Sequence, residues 1–259
     1  YEFKMKKGLN EDIVREISAM KKDPDWMLKI RLDALEMYNK LELPTWGPDL
    51  SDLKMDEIAT YVKPKTDLST SWNDVPEDIK ETFDKLGIPE AEKKSLSGVG
   101  AQYDSEVVYH SIKDELIKQG VIYTDMETAV REYPDIVKEH FMKCVPISDH
   151  KFVAFVYVPK GVKVDIPLQS YFRLNSPESG QFEHTLIIVD EGASLHFIEG
   201  CSAPKYNKVN LHAGCVELYV KDDAYLRYST IENWSKNMMN LNTKKALVGK
   251  NAQVDWVTG

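Results

Sequence analysis

The chain reads as α+β: a mainly helical region over residues 1–143, then a parallel, right-handed β-helix over 144–259. Three observations predict it. First, four segments align on a shared turn position: VYVPKGVKVDI, IIVDEGASLHF, LYVKDDAYLRY and ALVGKNAQVDW. Second, their turn residues Gly161, Gly192, Asp223 and Asn251 lie 31, 31 and 28 residues apart, and these types tolerate a positive φ. Third, a Val stands three residues before each turn (Val158, Val189, Val220, Val248) and apolar residues alternate after it. A strand–turn–strand unit at a period near thirty is the signature of stacked solenoid rungs.

Residues 1–43 carry helical periodicity. Asn10 is placed to cap a first helix bearing Ile13, Ile17 and Met20. Asp23-Pro24 opens a second with Trp26, Met27, Ile30 and Leu35, ended by Pro44, Gly47 and Pro48. Residues 49–75 read as an irregular connection. A short helix follows from Pro76 through Phe83, stopped at Gly87 and Pro89. The spacing of Val108, Ile112 and Leu116 predicts another from Ser105 to Gly120, and two more are expected at 125–130 and 135–142. Near Cys144 the period changes from 3.6 to 2, which sets the domain boundary at about 143–151.

After each turn, one strand phase holds Ala193, Leu195, Phe197; Ala224, Leu226, Tyr228; and Ala252, Val254, Trp256, expected to stack inside. The opposite phase, Asp165, His196, Arg227 and Asp255, reads as an outward ladder. Two residues further along the inward phase come Leu168, Glu199, Thr230 and Thr258, so the interior turns polar at that end. A buried carboxylate such as Glu199 is costly unless paired or wet, which points to a polar channel. Arg173 and Asn175 share a phase, solvated by default, and join that interior only if the phase is inward. The fourth repeat's strand, Val254–Gly259, has no polar cap after it, so a longer natural chain is expected, as the non-Met start at Tyr1 also suggests.

Composition narrows function. A net charge of −9 argues against nucleic acid, and no run of apolar residues approaches a membrane span. Three cysteines (Cys144, Cys201, Cys215) without framework spacing predict free thiols in a reducing, cytoplasmic setting. Cys201 follows Gly200 at a strand end, where access would let its thiolate react, against the blander reading of a small buried hydrophobe. His184 and Cys215 fall on adjacent rungs, in a ladder with Val153 and Thr243. A metal pair or a coincidence would both produce that ladder, and coincidence is the expectation. The acidic turns at Asp190-Glu191 and Asp222-Asp223 lack calcium-roll spacing, and no phosphate loop, Gly-x-Ser-x-Gly or His-Glu-x-x-His occurs.

Longer motifs carry a resemblance. They include Lys7-Gly8-Leu9-Asn10-Glu11, Pro24-Asp25-Trp26-Met27-Leu28, Pro44-Thr45-Trp46, Thr82-Phe83-Asp84-Lys85-Leu86-Gly87 and Val158-Pro159-Lys160-Gly161. Tyr171-Phe172-Arg173, Gly180-Gln181-Phe182-Glu183, Glu199-Gly200-Cys201-Ser202-Ala203-Pro204, Leu211-His212-Ala213 and Asn233-Trp234 continue them. With these motifs the chain resembles the SufB/SufD family, and its SufB branch in particular, the scaffold of SUF iron–sulfur cluster assembly. The resemblance implies a scaffold rather than an enzyme, working with the ATPase SufC and with SufD or a second SufB. It implies a transient iron–sulfur cluster whose main ligands lie in a C-terminal part beyond this chain, and a persulfide donor fed by a cysteine desulfurase. It places the sulfur acceptor on Cys201 and the sulfur path on Arg173, Asn175, Glu199 and Thr230, with no metal ligand assigned. The family's usual additional stretch between Ala154 and Phe155 is absent here. Two other classes remain open: a β-helix carbohydrate-active protein and a purely structural subunit of the same complex.

Overall fold

In the computed structural model, residues 1–85, 95–145 and 154–259 are described. Two sheets of stacked parallel strands face each other. One runs β12 (Met238–Val248), β10 (Asn210–Val220), β8 (Gly180–Val189), β6 (Phe155–Val158) and, antiparallel, β5 (Ile122–Thr124). The other runs β13 (Gln253–Thr258), β11 (Tyr225–Asn233), β9 (Ser194–Ser202), β7 (Leu168–Arg173), β3 (Gly98–Tyr103) and, antiparallel, β4 (Glu106–Ile112). Each coil passes from the first sheet to the second through the expected turn, and the chain is the β-helix that the repeats predict.

The turn chemistry explains the corner. Gly161, Gly192, Asp223 and Asn251 have φ of 71°, 67°, 59° and 54°, the left-handed region that Gly, Asp and Asn enter at least cost. The valines before them form one row, Val158↔Val189↔Val220↔Val248. After the turn, Leu195↔Leu226↔Val254 and Phe197↔Tyr228↔Trp256 stack in register.

One register expectation fails. Leu168 pairs with Phe197, not with Glu199, and Ser170 takes the place beside Glu199. Lys163 still bridges Ser194, so two extra residues are absorbed between them, where Pro167 has no N–H to give a ladder. Asp165 accordingly lies exposed outside the sheet, off the predicted outward ladder.

The helical region covers the outer faces. Among the described residues, α1 (Glu11–Lys21) is capped by Asn10, whose side chain accepts from the Ile13 N–H at 3.0 Å. It joins α2 (Asp25–Lys40) around buried Asp23 of the connecting turn, whose Oδ2 accepts from Ser18 Oγ of α1 at 2.8 Å and from Arg31 Nε of α2 at 2.6 Å. Met27 of α2, with α5 (Met126–Glu132) and α6 (Pro134–His140), buries the outer face of the first sheet against Phe155, Leu186, Ile188 and Tyr219. Ile79 and Phe83 of α3 (Glu77–Lys85) cover the second sheet at Val99, Val108 and Tyr171.

The helix expected over 105–120 is mostly wrong. Glu106–Ile112 is strand β4, and only Asp114–Lys118 (α4) is helical. Positions 108, 112 and 116 satisfy both periods, and the β-branched and aromatic run Val107-Val108-Tyr109 completes a sheet. That sheet also includes β3, which pairs antiparallel with β4. Gly98 and Gly100 of β3 are where Tyr123 closes the first coil: a Cβ on Gly100 would stand 2.8 Å from the Tyr123 hydroxyl. Gly87, Pro89 and most of the expected boundary at 143–151 lie outside the described residues. No helix among the described residues is long and apolar enough to cross a membrane.

Candidate functional site

The solenoid interior has two halves. Next to the turns it is closed hydrocarbon: Val189, Leu195, Phe197, Leu218, Val220 and Leu226 are each 0–1% exposed. Following the same inward phase away from the turns, strands β8 to β12 become polar. β8 presents Thr185 and Glu183, β9 Glu199 and Cys201, β10 His212, β11 Thr230 and Glu232, and β12 Lys244, Asn242 and Asn240.

These side chains meet. Cys201 Sγ lies 3.9 Å from Glu199 Oε1, while Glu199 Oε2 accepts from the Tyr228 hydroxyl at 2.6 Å and from Thr185 Oγ1 at 3.5 Å. His212 Nε2 lies 3.1 Å from Glu183 Oε1. Lys244 Nζ reaches Thr230 Oγ1 at 3.5 Å and Glu232 at 3.6 Å. Phe172 and Trp234 pack on Cys201, and the Trp234 ring lies 4.6 Å from the His212 ring.

Burial sets the electrostatics. Desolvation, then the Glu183 charge, raises the Glu199 carboxyl to about 7. Burial also raises the Cys201 thiol well above its usual range, reinforced by Glu183, Glu199 and Glu232. For His212 burial opposes the charge, but Glu183 outweighs it and lifts the imidazole to about 9. The pocket therefore carries an excess of acidic groups and holds its thiol protonated.

Of the residues singled out from sequence, Cys201, Glu199 and Thr230 come together here. Arg173 and Asn175 do not. They occupy the opposite phase of the β7 segment, where Arg173 Nη1 donates to Ser202 Oγ at 3.3 Å and Asn175 Nδ2 donates to the Tyr103 hydroxyl. Burial lowers the Arg173 pKa, and its Nε is buried without a hydrogen-bond partner.

His184 and Cys215 do meet across rungs, at 3.8 Å. They sit on the outer face, where Glu217 Oε2 lies 2.7 Å from His184 Nε2 and the Glu217 carboxylate accepts from the backbone N–H groups of Met142, Cys144 and Val145. Their neighbour Thr243 is in register, and Val153 lies outside the described residues. This cluster ties the last helix to the sheet and is separated from the interior by it.

Glu183, His212, Asn240 and Lys244 were missed as site residues from sequence. The signal was present: counting back in twos from Val189, Val220 and Val248 reaches them.

Similarity to known proteins agrees with this architecture. Residues 14–170 match the SufBD protein N-terminal region, and residues 172–259 match the SUF system FeS cluster assembly, SufBD core domain. An iron-sulfur cluster assembly SufBD family protein of Staphylococcus haemolyticus is 52% identical over 267 residues, covering 99% of this chain and 57% of the relative. One from Staphylococcus aureus strain MRSA252 is also 52% identical with the same coverage, and one from strain USA300 is 51% identical. The chain thus spans 57% of the length of these relatives. The chain belongs to the SufBD family of iron–sulfur cluster assembly proteins.

Proposed function

We propose that this chain is the sulfur-accepting part of a SufB-type scaffold, with Cys201 as acceptor, working with the ATPase SufC and with SufD or a second SufB. The observation that supports it best is the position of one sulfur. Of the three cysteines, Cys201 alone faces the polar half of the interior; Cys215 faces outward under the helices and Cys144 lies at the junction. The scaffold catalyses no turnover of its own in this reading, and iron and sulfur are its cargo.

Sulfur transfer to Cys201 is an exchange. The thiolate attacks the terminal sulfur of a donor persulfide, the donor's S–S bond breaks, a new S–S bond forms on Cys201 and the donor leaves as thiolate. No external oxidant is needed. The thiol proton has a near acceptor in Glu199 Oε1, 3.9 Å away. Arg173 and Asn175 flank the end of β9 on its other face, and the unpartnered Arg173 Nε supports a role in guiding an anionic persulfide to that strand end. Glu199 and Thr230 line the interior beyond Cys201.

A second reading, a purely structural subunit, is favoured by the 3% exposure of Cys201 and its raised thiol pKa. Sulfur transfer from a persulfide donor to the full-length protein and to Cys201→Ser separates the two. The proposal expects uptake by the first and loss in the second, together with visible-region absorbance when the full-length protein is reconstituted anaerobically with iron and sulfide. Equal transfer to both proteins contradicts the role of Cys201.

A further inference from the structure

We propose that Glu183, Cys201 and His212 form a binding site for a divalent transition metal, bringing a metal ion and the accepting sulfur to one point. The three residues come from three consecutive inward strands, β8, β9 and β10, and their ligand atoms all lie within 4.8 Å of one another. All three side chains are buried, at 2%, 3% and 2% exposure.

The tautomer of His212 is fixed by its neighbours. Asn240 donates through Nδ2 to Glu232 Oε2 at 2.5 Å, and its Oδ1 accepts from Asn242 Nδ2 at 3.1 Å. The Asn240 Oδ1 that lies 2.6 Å from His212 Nδ1 is therefore an acceptor, so Nδ1 carries the proton. With its second proton gone, the ring presents its Nε2 lone pair to the pocket. Orientation of the second nitrogen by an amide or carboxylate is the usual support of a metal-binding imidazole.

What Nε2 faces is a carboxylate oxygen. Glu183 Oε1 is 3.1 Å away, yet it lies off the ring N–H direction, and both atoms are buried without a hydrogen-bond partner. In the metal-free site the second imidazole proton balances that carboxylate, and a metal ion bound there would take the proton's place. A separation of 3.1 Å is close to the nitrogen–oxygen edge of a coordination sphere with bonds of about 2.0–2.2 Å, and the thiolate joins such a sphere at about 2.3 Å. The surroundings ask for positive charge as well: Glu183, Glu199 and Glu232 face Cys201, against Lys244. Sγ would bind as thiolate and His212 through Nε2, the thiol proton and the second imidazole proton leaving to solvent, because a metal ion reverses the local electrostatics that keep both groups protonated.

One carboxylate oxygen, one imidazole nitrogen and one thiolate select Fe2+, Co2+ or Zn2+ over Mg2+ and Ca2+, and three protein ligands leave a position open for an incoming group. That Fe2+ is the ion carried rests on the assembly role proposed above; the site itself rests on the geometry alone.

The test uses Co2+ as probe on the anaerobic, metal-free full chain. The expected result is a saturable thiolate-to-cobalt charge-transfer band with visible d–d bands, competed by Fe2+ and Zn2+ but not by Mg2+. Cys201→Ser should abolish the charge-transfer band, and His212→Gln should weaken binding at least tenfold. Asn240→Ala, which touches no proposed ligand atom, should weaken it about 10–100-fold by releasing the ring. Cys144→Ser and Cys215→Ser should bind like the parent. A parent protein with an unchanged circular dichroism spectrum and no charge-transfer band overturns the site. So does a band that survives in Cys201→Ser or disappears only in Cys215→Ser. Sulfur acceptance is read separately: a chain that takes persulfide at Cys201 but no Co2+ refutes the metal site and leaves the scaffold reading standing.

Discussion

The two ends of the same strands make opposite use of one interior. Beside the turns, Val189, Leu195, Phe197 and Val220 close into hydrocarbon that water does not reach. A few residues along, Glu183, Glu199, Cys201 and His212 are equally buried but charged or reactive. Coil stacking gives both halves the same backbone ladder, so the contrast lies in side chains alone. The apolar half supplies the free energy of folding, and the polar half holds groups whose desolvation is unfavourable. A solenoid can carry such a pocket because each rung is held by its neighbours rather than by the pocket.

The contrast can be pressed hardest at Phe197, which is fully buried between Leu168 and Tyr228. Phe197→Ala should cost about 3–5 kcal/mol in denaturant unfolding. A loss below about 1 kcal/mol would mean the apolar half is not the stabilising one. Next in size is a pH effect at the capped end of the interior. Burial lowers His110 from 6.5 to about 4, and its ring stacks edge-on to Tyr123 at 4.6 Å. The unfolded chain binds the proton first, so its contribution is complete above pH 6.5 and is lost as pH falls from there towards 4, by about 1–3 kcal/mol. His110→Phe should flatten that limb of a stability–pH profile, and an unchanged limb would assign it to other groups. Smallest is Glu199→Gln, which keeps an acceptor for Tyr228 while removing a buried carboxyl. Its stability should stay within about 1 kcal/mol of the parent, while sulfur transfer to Cys201 slows. A large destabilisation would place Glu199 among the folding groups instead.

Much of this division was legible before the structure. The Val ladder and the Gly, Asp and Asn turns follow from period 2 and from left-handed backbone, both local properties that a chain displays in order. The same logic carried the inward phase as far as Glu199 and Thr230, while Cys201 stood out only as a thiol at a strand end. It broke at Pro167, where two residues bulge out of register and bring Ser170, not Leu168, beside Glu199. It broke again at Val108 and Ile112, whose spacing fits a helix as well as a strand; pairing with Gly98–Tyr103 decided the matter. Arg173 and Asn175 were assigned to a phase correctly but could not be assigned a face, because the face depends on the rung above. The meeting of Glu183 and His212 with Cys201 crosses from one sheet to the other, and no spacing within a strand encodes that contact.

The most direct test of the polar half as the working end is the site of sulfur itself. Persulfide labelling of the intact assembly complex under anaerobic transfer conditions, mapped by mass spectrometry, compares Cys144, Cys201 and Cys215 in one experiment. The account predicts that the added sulfur is found on Cys201, with the two cysteines outside the interior unmodified. Sulfur on Cys215 or Cys144, with Cys201 remaining a free thiol, would contradict it.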